Sequence, residues 1–225
     1  MVKQSKSKTG SSFQLDDTVP VDTDTQVRVA TADYQVNINS LRPCRQSTRY
    51  IVLHRIGVGR CAGDVEKFFT EAAEGVATVT VRPRKIVDTV RKWKLNGIPD
   101  RYKARAFVPY HFIIGINGEI TQFLDYDARG AHCYGFNNHS VGIAAIGDFR
   151  LERPTDAQVY AAMVLSRDLL FRYGDTVRIK GHDDLRRMNN QRPKGCPGRK
   201  FPYERVKKWA ELAIKNKKDI DGLAD

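Results

Sequence analysis

The sequence predicts an α/β domain, a central mixed sheet flanked by helices. Two patterns point to it. Apolar, β-branched runs at residues 50–54, 107–115 and 141–146 are too short for buried helices and read as central strands. After them, apolar residues recur at helical spacing, most clearly from Thr155 onward and again beyond Pro202.

Taken in order, residues 1–45 are rich in Ser, Thr, Asp and Gln and read as a flexible or loosely attached arm. Two alternating stretches inside it, 26–29 and 34–38, leave room for a strand or two added to the sheet. Tyr50-Ile51-Val52-Leu53 then leads to His54 as a buried strand. Gly63-Asp64 opens a helix with Val65, Phe68, Phe69, Ala72 and Ala73 on one face and Gly75 at its end. Thr78 to Val81 reads as a short strand, and Ile86, Val90 and Trp93 as one helix face. Residues 107–115 form the next strand, on which Tyr110 and His111 would point to opposite faces. Asn117-Gly118 turns it into a hairpin with residues 120–123. After the strand at 141–146, Thr155 and Gln158 make a capping box for a helix with Val159, Ala162, Met163, Ser166, Leu169, Leu170 and Tyr173 on one face. Gly174 ends it. A last helix follows Pro202, with Val206, Trp209, Leu212 and Ala213 facing inward. The expected layout is an arm at 1–45, one domain at 46–217 and a tail at 218–225.

Composition narrows the class. The chain has 225 residues, 41% of them hydrophobic, enough for one real core. No apolar run is long enough to span a bilayer. The N-terminus has basic residues but no apolar core of a signal peptide, so synthesis as a cytosolic chain is expected. Lys and Arg outnumber Asp and Glu by 38 to 26, a net charge of +12 that favours polyanionic surroundings. The basic residues are scattered and match no nucleic-acid motif, so no specific nucleic-acid partner is expected. The four cysteines (Cys44, Cys61, Cys133 and Cys196) contain no C-x-x-C pair.

The chemistry concentrates at residues 181–198, GHDDLRRMNNQRPKGCPG. His182 follows a short apolar run, and after a basic, amide-rich loop comes Lys194-Gly195-Cys196-Pro197. Histidine and cysteine are both good zinc ligands, and His54 at the end of its strand offers a third. Taken singly, each has a plainer reading: His54 as a satisfied sheet histidine, Cys196 as a small buried residue. Asp183 and Asp184 either orient a ligand imidazole or are solvated loop acids.

Four pieces in order, YIVLHR, VPYHFIIGINGEI, GAHCYGFNNHSVGIAAIGDF and the His…Lys-Gly-Cys-Pro loop, resemble the zinc-dependent N-acetylmuramoyl-L-alanine amidases of the phage-lysozyme and peptidoglycan-recognition type. The resemblance spans residues 50–198 and implies Zn²⁺ held by His54, His182 and Cys196. It implies that Tyr110 positions the attacking water or the tetrahedral intermediate, and that Lys194 stabilises the oxyanion. It also implies that His132 contacts substrate, with Asn138 helping to shape the cleft. His111 is expected to be structural and His139 to lie on the surface. The loop before Cys196 and the stretch 76–107 look enlarged relative to the family.

The implied function is cell-wall lysis by a phage or prophage endolysin. It would be a monomer that reaches peptidoglycan after release from the cytoplasm and cuts between N-acetylmuramic acid and L-alanine. Two rival readings are a module that binds muropeptides without cutting, and a regulator that binds RNA polymerase through the N-terminal arm.

Overall fold

The computed structural model describes residues 29–31, 44–57, 64–65 and 108–221, with the backbone alone at 29–31 and 217–221. Six strands form one mixed sheet: β1 (Val29–Thr31), β2 (Tyr50–Ile56), β3 (Phe112–Ile114), β4 (Ile120–Gln122), β5 (Ser140–Ile146) and β6 (Arg178–Gly181). Their order across the sheet is β1-β4-β3-β5-β2-β6. Only the β3–β4 hairpin is antiparallel; β5, β2 and β6 run parallel side by side. Three helices are described: α1 (Asp156–Tyr173), α2 (His182–Met188) and α3 (Tyr203–Asp221).

The two-residue period of the strands divides the molecule into two faces. Ile51 and Leu53 of β2, Val141, Ile143 and Ala145 of β5, and Phe112 and Ile114 of β3 pack into the main core with α1 and α3. Val52, His54 and Ile56 point to the opposite face. There Val52 meets Cys133 and Leu185, while Ile56 joins Val65, Val108, Ile113 and Ala144. The functional site is built on this second face.

Helix α1 has the expected capping box: Gln158 N–H donates to Thr155 Oγ1 at 3.1 Å, and Thr155 N–H donates to Gln158 Oε1 at 3.1 Å. The same threonine hydroxyl donates to Ile116 O, joining the helix start to the hairpin turn. Gly118 in that turn has φ 83°, and a Cβ there would meet Ala157 O at 2.7 Å. Gly174 closes α1 with φ 88°, its N–H donating to Leu170 O.

Several elements differ from expectation. β3 starts only at Phe112, so Tyr110 and His111 precede the strand and strand alternation does not govern them. β2 continues to Ile56, two residues past His54. The first half of the stretch after His182 is helix α2, not loop. On α3, Leu212 is exposed, and Ala210 and Ile214 face the core with Val206 and Trp209. The proposed features at 34–38, 66–75, 78–81 and 86–93 lie outside the described residues.

One short strand of the arm joins the sheet: β1, which shares only Val29 with the alternating stretch 26–29, pairs parallel with β4 at the edge. Arg45, at the end of the compositional arm, is bonded into the core. Its backbone N–H donates to Asp127 O, and Cys44 bridges to Ala128. Its guanidinium donates to Tyr126 O, Ala128 O, Thr48 Oγ1 and Tyr173 OH. The aromatic end of α1 is thereby tied to the loop after β4. Arg45→Ala is expected to lower stability by about 2 kcal/mol, since hydrogen bonds from a charged group contribute roughly 1.5–3 kcal/mol. For a chain of this size that is a drop of roughly 4–8 °C in Tm. An unchanged thermal midpoint would show that these bonds exchange freely with water.

Candidate functional site

Parallel pairing brings the site together. Leu53 lies opposite Gly181 in the β2–β6 register, so His54, the next residue of β2, and His182, the first residue of α2, become neighbours. Their rings lie 4.6 Å apart between centroids. Cys196 returns from the loop after α2, with its Sγ 3.8 Å from His54 Nδ1. The ligand atoms of His54, His182 and Cys196 all lie within 4.8 Å of one another. Zinc bonds of about 2.0–2.3 Å in tetrahedral geometry set ligand atoms roughly 3.3–3.6 Å apart, so two nitrogens and a sulfur at this spacing fit the ion with little movement. The three residues predicted as ligands do converge.

Asp183 holds the cysteine loop. Its carboxylate accepts the consecutive backbone N–H groups of Lys194 at 2.8 Å, Gly195 at 2.8 Å and Cys196 at 3.0 Å. Its own N–H donates to Cys196 O at 2.9 Å. It neither orients an imidazole nor sits solvated. Asp184 acts elsewhere. Its carboxylate accepts the N–H of Gly181 at 3.0 Å, capping α2, and pairs with Arg187. The Lys194–Cys196 segment therefore curls around a carboxylate, with Gly195 at φ 71°. Cys196 is buried and Lys194 is exposed at the rim.

Arg55, the residue after His54, secures Cys196 from the other side. Its N–H donates to the Cys196 sulfur at 3.4 Å, and its Nε donates to Gly195 O at 3.0 Å. Asp148, 3.2 Å away, balances its charge. Sequence reasoning missed both Arg55 and the loop-clamping role of Asp183. The available signal was their position, each directly following a ligand histidine.

Tyr110 reaches the cluster, its ring 5.1 Å from that of His54. His111 is structural, as expected. Gly142 N–H donates to its Nδ1 at 3.0 Å, so its proton is on Nε2 and goes to Ala128 O at 2.9 Å. The nearby Arg45 guanidinium is then a contact and not a hydrogen bond, since both groups are donors. His132 is buried, with Nδ1 3.0 Å from His54 Nε2. Asn138 is one of the residues around a cavity of about 430 Å³ that also includes Arg129, Tyr134, Asn137 and Asn189. His139 is half-buried and bonded to Ser47 Oγ at 2.8 Å.

The electrostatics suit a cation bound by neutral nitrogens. Burial, reinforced by the charges of His132 and His182, holds His54 well below the ordinary histidine pKa. Burial, followed by Arg186 and Lys194, brings His182 down to about 4. Burial pushes the Cys196 thiol up to about 11 and also raises Tyr110, which therefore keeps its proton at neutral pH.

Comparison with known proteins gives the same picture. The chain is 29% identical over 160 residues to the endolysin of Enterobacteria phage K11, covering 68% of this chain and 93% of that protein. It is 31% identical over 140 residues to the endolysin of Klebsiella phage KP32, covering 60% and 81%. Peptidoglycan-recognition protein SA of Drosophila melanogaster is 29% identical over 122 residues, 54% of this chain and 48% of that one. The chain spans only about half or less of the length of the recognition proteins it matches. Two solved structures share the fold. They are the amidase LysC from Clostridium intestinale (TM-score 0.53, 23% identity, covering 80% of this chain and 95% of that one) and Apis mellifera PGRP-SA (TM-score 0.54, 18% identity, covering 82% and 97%). Residues 45–199, which hold every residue of the cluster, match the N-acetylmuramoyl-L-alanine amidase family, and the chain belongs to that family.

Proposed function

We propose that this chain is an endolysin-type hydrolase that uses Zn²⁺ to cut the amide bond between the lactyl group of N-acetylmuramic acid and L-alanine in peptidoglycan. The observation that carries this reading is the convergence of His54, His182 and Cys196 within 4.8 Å, with Tyr110 packed beside them. Zinc held there would supply a Lewis acid and a water nucleophile active near neutral pH.

The chain's own residues do the rest. His54 and His182 stay neutral and keep lone pairs available, and Asp183 fixes the backbone that carries Cys196. Lys194 stands at the rim, close enough for its charge to depress His182. Its ammonium would hold the amide oxygen as negative charge builds there. Tyr110, protonated at neutral pH, would donate its hydroxyl proton to the attacking water or to an oxygen of the tetrahedral intermediate. Water adds its oxygen to the lactyl carbonyl carbon and the C–N bond breaks. The nitrogen leaves as the α-amine of alanine, and muramic acid keeps a carboxylate. Asn138 is assigned to the substrate groove, and cell-wall material is the expected site of action.

One zinc per chain is expected, and His182→Ala should lose most of it. Equal metal content in wild type and in the His54, His182 and Cys196 alanine variants would remove the site.

Protonation of the free site sets a pH law. Between pH 5 and 8 the two histidines are already neutral, and only the Cys196 thiol must lose a proton to bind metal. Apparent zinc affinity should therefore rise about tenfold per pH unit across that window, with about one proton released per ion. Chelator competition at several pH values measures the slope. A slope of two or three below pH 6.5 would mean the histidines are ordinary, solvated ones.

Lys194→Ala should keep fold and zinc while lowering turnover about 10²–10³-fold, the usual loss for an oxyanion contact. Tyr110→Phe keeps the ring and tests the hydroxyl alone. The assay must detect new alanine amine. A wild type that binds zinc and muropeptide yet releases none would be a binding module.

A further inference from the structure

Behind His54 four groups stand in series. His54 Nε2 lies 3.0 Å from His132 Nδ1, His132 Nε2 lies 3.5 Å from Ser140 Oγ, and Ser140 Oγ lies 2.8 Å from Phe136 O. His54, His132 and Ser140 are all buried, so water does not compete for these bonds. The series has only one consistent direction. A backbone carbonyl can only accept, so the Ser140 proton goes to Phe136 O. Ser140 Oγ then receives the proton of His132 Nε2, and His132 Nδ1 is left with a lone pair. That lone pair accepts the proton of His54 Nε2. The nitrogen of His54 left bare is Nδ1, the one that faces Cys196 Sγ at 3.8 Å.

Shape fixes the relay as well as hydrogen bonding. A Cβ at Gly130 would meet the His132 ring at 2.5 Å, and one at Gly142 would meet it at 2.7 Å. The two glycines leave a slot that only a bare backbone on each side can make.

We infer that His132 is a positioning residue that selects the tautomer of His54 and aims His54 Nδ1 at the metal, with Ser140 and Phe136 O setting the direction of the series. His132 therefore acts through a ligand, from a buried position. The inference rests on the metal reading of His54, His182 and Cys196, and it needs no amide hydrolysis. Its tautomer half needs no metal.

Two measurements test it. Imidazole ¹H–¹⁵N correlation spectra of the metal-free protein should show the His54 proton on Nε2. With cadmium in place of zinc, the metal coupling should appear at His54 Nδ1. A proton on Nδ1, or a coupling to Nε2, overturns the inference. In the second measurement, chelator competition gives the zinc affinity of two variants. His132→Ala removes the acceptor and should weaken zinc about 10–100-fold, the usual cost of losing the outer partner of a ligand histidine. His132→Asn places a carbonyl oxygen near the Nδ1 position and should recover most of that loss. Wild-type affinity in His132→Ala, or equal weakness in both variants, counts against an acceptor role. If His132→Ala does not fold, the wild-type spectra decide. A protein that shows this tautomer and zinc pattern but releases no alanine amine would sink the amidase reading alone. An active amidase with the opposite tautomer would sink this inference alone.

Discussion

The alternation of β2 is the constraint on which the site depends. The strand lies between β5 and β6, hydrogen-bonded on both edges, so its residues cannot change face without a shift in register. Ile51 and Leu53 anchor it to the core under α1 and α3, and that anchoring sends His54 to the other face. A one-residue slip would bury the imidazole among those apolar side chains and expose Leu53 to the ligands. The geometry of the histidine is therefore held by the free energy of two large aliphatic residues that never touch the cluster. β5 answers with small residues on the site face, Gly142 and Ala144 opposite Val52 and His54, which leaves room for imidazoles to stack above the sheet.

Asp183 is the second fixed point, and it solves a different problem. Cys196 comes from a loop with no strand to align it, so its backbone needs another support. One buried carboxylate accepting three successive amides supplies it, and the negative charge is stabilised by the amide dipoles that it orders. Because Asp183 directly follows His182 at the start of α2, the same turn of helix places one ligand and clamps the loop that carries another. The relative placing of His182 and Cys196 is thus set from one turn of helix, while that of His54 is set by β2.

The residues of the cluster that could hold a metal and most of the frame are legible in the sequence. Metal sites demand particular residue types at strand ends, and the strands are marked by their own apolar runs. The capping box of α1 and the Asn117-Gly118 turn are local chemistry, visible in a few consecutive residues. Features that depend on through-space partners are not legible. A carboxylate that binds backbone amides has no spacing signature, so Asp183 reads as an acid that orients an imidazole or meets solvent. Tyr110 and His111 read as alternating strand residues because the apolar run begins before the hydrogen-bonded ladder does. Leu212 reads as inward because residues 206, 209, 212 and 213 fit a helix face nearly as well as 206, 209, 210 and 214, and only the packing of α3 on α1 separates them. The parallel pairing of Val29–Thr31 with β4 joins residues about ninety apart, beyond the reach of any local pattern.

Charges of both signs surround the cluster. Among the charged groups that act on the ligands, Arg55, Arg186 and Lys194 are positive, while Asp183 is engaged by backbone amides. A dication at this place would be balanced by the Cys196 thiolate and the Asp183 carboxylate, so the positive excess comes from Arg186 and Lys194, Arg55 being paired with Asp148. That looks unfavourable for metal binding taken alone, and the buried, neutral histidines with their fixed lone pairs offset it by removing the cost of reorganising the ligands. The residual field has a use. In the proposed reaction, an amide oxygen gaining charge beside the cluster would meet cations already oriented by the fold. Arg55 is tied to Asp148, and Arg186 donates to Arg192 O, so neither is as free to follow a substrate as Lys194 is. Lys194, exposed at the rim, is the cation to which the proposed reaction gives the oxyanion, while Arg55 and Arg186 are held by their own partners.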